Sequence, residues 1–204
     1  MTQYERMQQG LLYDCSDREI LEIQDQYKSK IQEYNVLDST DTDARARCLK
    51  EMLAECGENC FVEAPCYANW GCHHVHFGSG IYANYNLTLV DDGHIYIGDC
   101  VMIGPNVTIV TATHPINPDL RRRQYQYNKD VHIGENAWLG AGVVIMPGVR
   151  IGKNSVIGAG SIVTRDIPDN VVAVGSPCKV LRPIDERDEK YYDGDRLIDW
   201  ENLS

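Results

Sequence analysis

Residues Leu139–Pro168 read LGAGVVIMPGVRIGKNSVIGAGSIVTRDIP, and an aliphatic side chain returns at every sixth position: Leu139, Ile145, Ile151, Ile157 and Val163. Upstream, Ile97, Ile103 and Ile109 keep the same interval. A period of six suits neither an amphipathic helix nor a flat alternating sheet, whose repeats are about 3.6 and 2 residues. It suits short strands joined by turns of one repeated shape. With each hexad as one side of a triangular coil, three hexads return the chain above itself, and residues three hexads apart stack inside with about 4.8 Å between layers.

Outward from that stretch, Gly98, Gly104, Gly140, Gly152 and Gly158 directly follow an aliphatic residue, where a small residue is expected to ease the bend at a corner. Val101, Val107, Val143, Val149, Ser155 and Ser161, four places after the aliphatic, are small enough to fill the remaining interior. The pattern predicts a mainly β fold, a parallel β-helix over 60–182. Phe77, Ala83 and Leu89 are in step before the count slips ahead of Ile97.

The count also fails across ATHPINPDLRRRQYQYNKD, Ala112–Asp130. Kept at six, it would put Arg121 in one column with Ile103 and Leu139, and an unpaired guanidinium does not belong in a narrow apolar core. Residues 114–130 therefore read as a loop extruded from the coil. His114 stands at the break.

Residues 1–59 read as helices packing on the coil. Thr2 with Glu5 is a capping box and Gly10 would close the first helix. Ser16 with Glu19 repeats the pattern ahead of Ile20, Ile23, Tyr27, Ile31 and Tyr34, which share one helical face. A third helix is predicted to carry Cys48, Leu49, Met52, Leu53 and Cys56 on one stripe and to stop at Gly57. Residues 183–204 form an acidic, aromatic tail.

The chain has 204 residues, enough for one main domain. Its net charge of −11 argues against nucleic acid or an anionic membrane as partner. No basic-then-apolar leader and no run of about 18 apolar residues occurs, so the expectation is a soluble cytoplasmic protein with its eight cysteines as thiols.

The hexads, together with IYANYNLTLVDD, TATHP, NAWLGAGVVIMPGVRIG and VIGAGSIVTRDIPDNVVAVGSPCKVLR, resemble the sugar O-acetyltransferases of the hexapeptide-repeat family, the maltose, galactoside and nodulation-protein-L group. The resemblance covers nearly the whole chain. It implies a left-handed β-helix, a homotrimer with active sites between subunits, and acetyl-CoA as co-substrate with no metal. It also implies direct acetyl transfer to a hydroxyl of a sugar or related small acceptor, without an acyl-enzyme.

His114 is the leading catalytic candidate. An imidazole largely neutral near pH 7 can take a hydroxyl proton, and His114 matches the family's general base. Asn84 resembles an acceptor-side asparagine that could orient a hydroxyl or an oxyanion, although a corner asparagine can also satisfy its own turn. Asp92 corresponds to an acceptor-hydroxyl ligand, although Asp91-Asp92-Gly93 is also a turn signature. Asn69 and Asp14 fall near further acceptor contacts, and Tyr127, with Tyr125, could wall the sugar or pack the loop. Trp138, Ala141, Ala159, Thr164, Arg165, Lys179 and Arg182 match positions lining the acetyl-CoA groove, the cations suited to phosphates.

Two other readings stand beside this one. Cys66, Cys72, His73, His74 and His76 form a soft-ligand cluster, and on a strand Cys72, His74 and His76 would share a face compatible with zinc. A non-catalytic β-helix serving binding or assembly is the other.

Overall fold

A computed structural model of the chain describes residues 1–203. The hexads build a prism with three faces that the chain visits in turn. Face one holds Glu55–Cys56, Val75–Phe77, Ile95–Ile97, Val131–Ile133 and Arg150–Ile151. Face two holds Phe61–Val62, Tyr82–Ala83, Met102–Ile103, Trp138–Leu139, Val156–Ile157 and Val171–Val174. Face three holds Tyr67–Ala68, Thr88–Val90, Thr108–Val110, Val144–Ile145 and Ile162–Val163. Pairing within each of these sets is parallel. The first parallel strand, Glu55–Cys56, precedes the expected start of the coil at 60. Lys179–Pro183 turns back antiparallel onto Val171–Val174, so the parallel stack ends ahead of 182.

Three columns fill the interior. Phe77, Ile97, Ile133 and Ile151 stack on face one; Ala83, Ile103, Leu139 and Ile157 on face two; Leu89, Ile109, Ile145 and Val163 on face three. None of these twelve exceeds 5 % exposure, and burying each larger one is worth about 1.5–3 kcal/mol.

The register explains both lapses in the count. Phe77 pairs with Ile97, two residues beyond three hexads, and the corner Asp91–His94 takes up the excess. Ile103 lies directly beneath Leu139, so the segment from Ala112 to Lys129 leaves the prism and Arg121 is exposed. That excursion is itself three hexads long, which is why the sixfold phase survives across it.

At the corners, the third residue after the aliphatic takes the left-handed conformation: Asn106, Asn136 and Asn154 have φ of 59°, 55° and 57°. Asparagine tolerates this region because its short amide bonds locally. Asn136 donates to Asn154 at 3.0 Å and Asn154 to Asn170 at 2.8 Å, a ladder along the edge between faces one and two. The glycine directly after the aliphatic has a different reason from the bend expected of it. A Cβ on Gly140 would lie 2.6 Å from the backbone N of Ala159, and one on Gly98 2.6 Å from that of Glu135. The next coil comes too close for a side chain.

Helix α1, Gln3–Gln8, has the expected Thr2–Glu5 capping box. Helix α2, Arg18–Val36, is capped by Asp17 instead of Ser16, whose hydroxyl donates to Asp14. Its Ile20, Ile31 and Tyr34 are buried, and Ile23 and Tyr27 pack partly against a separate cluster of Met7, Tyr13, Ile20 and Trp70. Helix α3, Thr42–Met52, ends earlier than the predicted stripe: Leu53 is its C-cap, Cys56 already belongs to face one, and Gly57 lies at a prism corner. Ile31, Tyr34, Cys48, Leu49 and Met52 continue the interior of the prism as one core. The tail forms a short helix, Glu186–Lys190, and a two-stranded hairpin. Among the described residues no helix is long and apolar enough to cross a membrane.

Candidate functional site

The excursion folds as a small antiparallel sheet. Ala112–Thr113 pairs with Tyr125–Asn128, which pairs in turn with Tyr13–Asp14 from the N-terminal segment. The backbone N–H of Lys129 donates to Thr111 O at 2.9 Å, closing the neck. Asn117 caps the helix Pro118–Arg122, and the Arg121 guanidinium donates to the carbonyls of Pro115 and Ile116, bracing the loop from within.

His114 is exposed, and its Nδ1 lies 2.8 Å from the carbonyl oxygen of Tyr125. A carbonyl only accepts, so the ring proton sits on Nδ1 and Nε2 is left with its lone pair. The loop thereby fixes the tautomer and the orientation of the ring.

On the same prism edge, between faces three and one, Asp92 is held from two sides. Asn69 Nδ2 donates to one carboxylate oxygen and Gln126 Nε2 to the other, each at 3.0 Å. Gln126 also donates to the Tyr13 hydroxyl at 2.5 Å, Tyr13 donates to Asn128 Oδ1 at 3.3 Å, and Asn128 Nδ2 returns to the Asp92 carbonyl at 2.9 Å. Burial and then the Asp92 charge push the Tyr13 phenol well above its ordinary value, keeping it a neutral donor. The strand pairing ends at Thr113 opposite Tyr127, and His114 follows directly, tied to the neighbouring strand by its bond to the Tyr125 carbonyl.

Asn69 and Asp92 thus meet, with His114 on the same edge. Asp14 does not join them: it points away from Tyr13 across the strand, and its carboxylate accepts from the Ser16 N–H and hydroxyl. Tyr127 lies on the opposite face from Gln126, with Lys129 Nζ 5.8 Å from its ring centroid. Sequence reasoning singled out Tyr125 and Tyr127 and passed over Gln126, Asn128 and Tyr13. The period-two alternation of YQYN was the available signal, since it puts both amides on the buried side.

Below this network, Asp91 is fully buried. Its Oδ1 accepts from Trp70 N at 2.8 Å, Oδ2 has no partner among the described residues, and burial pushes its carboxyl up to about 7. His74 donates from Nδ1 to the Asp91 carbonyl at 2.7 Å, and burial lowers its imidazole to about 4.

Asn84 sits on a different edge, between faces two and three. Its Oδ1 accepts from the Tyr85 N–H at 2.7 Å, the corner role, which leaves its amide NH2 free to project. Ala141 and Ala159 are exposed on the same edge in higher coils, and Trp138, 50 % exposed, stands on face two beside Met102, also 50 %. His114 occupies the edge between faces three and one. At about 3.3 Å per residue, a whole face, on the order of 15–20 Å, separates it from Asn84. One chain does not bring the two together.

Thr164 and Arg165 are exposed at the top of the His114 edge, and Lys179 and Arg182 lie on the returning strand beside face two. Arg182 is not a free cation: it makes a bidentate pair with Asp188 at 2.6 and 2.7 Å, which holds the Asp188 carboxyl down at about 2. The soft-ligand cluster is not a strand face. The strand begins at Val75, Cys72 has φ of 71°, and Cys72 and His74 are buried. His76 is engaged by Glu55 at 2.9 Å and His94 at 2.8 Å. Among the described residues no three His, Cys, Asp or Glu side chains converge to hold a metal ion.

Residues 130–165 match the family described as bacterial transferase hexapeptide (six repeats), and residues 6–57 match the maltose acetyltransferase hexapeptide capping motif. The chain is 55 % identical to a galactoside O-acetyltransferase of Lactococcus lactis subsp. lactis (strain IL1403), over 96 % of this chain and 95 % of the relative. A solved galactoside acetyltransferase in complex with coenzyme A superposes with a TM-score of 0.90 at 44 % identity, covering 97 % of this chain and 98 % of that one. A maltose O-acetyltransferase from Clostridium difficile 630 gives 0.88 at 40 % identity, covering 91 % and 99 %. These likenesses bear out the left-handed parallel β-helix built of hexapeptide repeats.

Proposed function

The chain belongs to the hexapeptide-repeat acetyltransferases of the galactoside and maltose O-acetyltransferase type, and from that premise we propose how its own residues carry acetyl-CoA-dependent transfer to a sugar hydroxyl. The observation that carries the reading is the Nδ1 contact of His114 with the Tyr125 carbonyl, which leaves Nε2 free to accept a proton.

In this reading Nε2 takes the proton of an acceptor hydroxyl as its oxygen attacks the thioester carbonyl. The tetrahedral intermediate collapses, the C–S bond breaks, and the departing sulfur takes the proton back from His114, so coenzyme A leaves as the free thiol and the imidazole is neutral again. No acyl-enzyme forms. Asp92, fixed by Asn69 and Gln126, presents an acceptor oxygen to a neighbouring sugar hydroxyl. The free amide of Asn84 supplies a donor to the hydroxyl or the oxyanion.

Asn84 must reach His114 from another copy. Met102, Trp138 and Ile162 leave apolar surface exposed on faces two and three, flanking the Asn84 edge. A homotrimer covers that surface and sets the Asn84–Ala141–Ala159 edge of one subunit against the His114 edge of the next. The acetyl-CoA arm would then run between them along Trp138, Ala141 and Ala159, with Thr164, Arg165 and Lys179 toward its phosphates. Arg182 would take part only by exchanging Asp188 for phosphate. Eight unpaired thiols suit a reducing cytoplasm.

The test supplies acetyl-CoA with a panel of galactosides, maltose and glucose and follows free coenzyme A with a thiol reagent. His114→Ala should lower turnover about 100-fold or more while the oligomer persists. Turnover near wild type in that variant would overturn the reading.

A further inference from the structure

The first coil of the prism carries thiols where the coils above carry aliphatic or aromatic side chains. Cys56 pairs with Phe77 and so occupies the foot of the Phe77–Ile97–Ile133 column. Cys60 immediately precedes Phe61, which pairs with Tyr82, and so it stands beneath Ile81. These two inward positions flank one corner, between faces one and two. The corner is turned by Asn59, at φ 58°, and tied to the next coil by Gly80 N donating to Glu58 O at 2.8 Å.

Both thiols are half-buried, with Cys56 donating to the Gly57 carbonyl at 3.5 Å and Cys60 to the Gly78 carbonyl at 3.1 Å. A cavity of about 170 Å³ opens onto the pair, with Leu49 and Lys50 of α3 and Glu58 on its walls. Lys50 pairs with Glu58 at 2.8 Å, and its positive charge favours a thiolate at Cys56. Cys48, Cys66, Cys72 and Cys178 are buried, Cys15 is bonded to the Gln124 carbonyl, and exposed Cys100 has no second thiol across its corner, so it can take a glutathione adduct but not the bridge. No other coil of the prism places two thiols across one corner.

We propose that Cys56 and Cys60 form a dithiol–disulfide site that exchanges with low-molecular-weight disulfides such as oxidised glutathione. The first protein thiolate attacks the oxidised glutathione, forming a mixed disulfide and releasing one glutathione thiolate, which takes up a proton. The second protein thiolate then attacks the mixed disulfide at the protein sulfur and expels the second glutathione. Two protein thiols are oxidised and one glutathione disulfide is reduced to two thiols. Burial, and then the neighbouring Cys60 thiol, push the Cys56 thiol up to about 12, so exchange quickens as pH rises. The bridge pins the corner where α3 hands the chain to the first coil. It depends on the fold alone and not on the transfer reaction.

The test equilibrates the whole protein with reduced and oxidised glutathione at mildly alkaline pH, blocks free thiols, and maps the peptides by mass. The expected product is lighter by two hydrogens, with the bridge between Cys56 and Cys60. Cys56→Val and Cys60→Ala, which place apolar side chains of the kind found in the coils above, should each abolish the bridge and leave a glutathione adduct on the remaining thiol. A wild-type protein that keeps both thiols alkylatable, or carries only glutathione adducts, overturns the proposal. So does a bridge of the same mass in either variant. The wild-type map decides the matter by itself should a variant fail to fold.

Discussion

Between Val131 and Val163 each coil copies the one below: aliphatic over aliphatic, asparagine over asparagine, glycine wherever the next backbone passes within a side chain's radius. Along the edge through Asp92 and His114 nothing is copied. One coil spends two extra residues there, the next extrudes a segment as long as a full coil, and a strand from the N-terminal segment joins from outside. A stack of equal coils has smooth walls, and smooth walls make no pocket. The irregular edge supplies the projecting groups, and the regular coils hold them in place.

The largest effect should come from erasing the irregularity. Excising 112–129 joins Thr111 to Asp130, ends already held together by the Lys129–Thr111 hydrogen bond, and restores the interrupted coil to three hexads. The prism should still fold, as judged by circular dichroism, with no measurable acetyl transfer. A substitution in the regular region should do the reverse. Gly134→Ala forces a methyl group to 2.5 Å from the backbone N of Lys153 in the coil above, and should cost about 1–3 kcal/mol in denaturant unfolding while the folded fraction keeps its turnover.

A smaller change separates the two regions more finely. Gln126→Ala removes one of the two side-chain donors to the Asp92 carboxylate, and should raise the acceptor KM roughly tenfold with little change in kcat or in the KM for acetyl-CoA. Smallest is a pH effect beneath the site. Asp91 is raised from 3.8 to about 7, so its contribution to stability is full below the unfolded value and is lost as pH rises through the folded one. His74, lowered from 6.5 to about 4, acts oppositely, its contribution lost as pH falls through the folded value. The Tm of Asp91→Asn relative to the wild type should therefore rise between about pH 4 and pH 7, and a difference that does not change with pH would place the effect elsewhere.

What the sequence discloses follows the same division. The coils are legible because one steric requirement is repeated many times, and Leu139, Ile145 and Ile151 report it directly. His114 is legible as the residue at the break. Asn69 and Asp92 meet across stacked coils and are legible too, but Tyr13 and Gln126 are brought to them by an antiparallel sheet joining segments about a hundred residues apart, which no local period records. Local competition hides the rest. Asp17 displaces Ser16 as cap because Ser16 is engaged by Asp14, and Arg182 is claimed by Asp188 six residues on.

The central claim is that the site is shared, His114 from one copy and Asn84 from another. It is tested by coexpressing His114→Ala and Asn84→Ala chains under separate tags and assaying the isolated mixed oligomer. Each variant alone should be nearly inactive, whereas the mixture should regain up to about a third of wild-type turnover, from sites where two intact edges meet. Mixed oligomers no more active than their parents would contradict it.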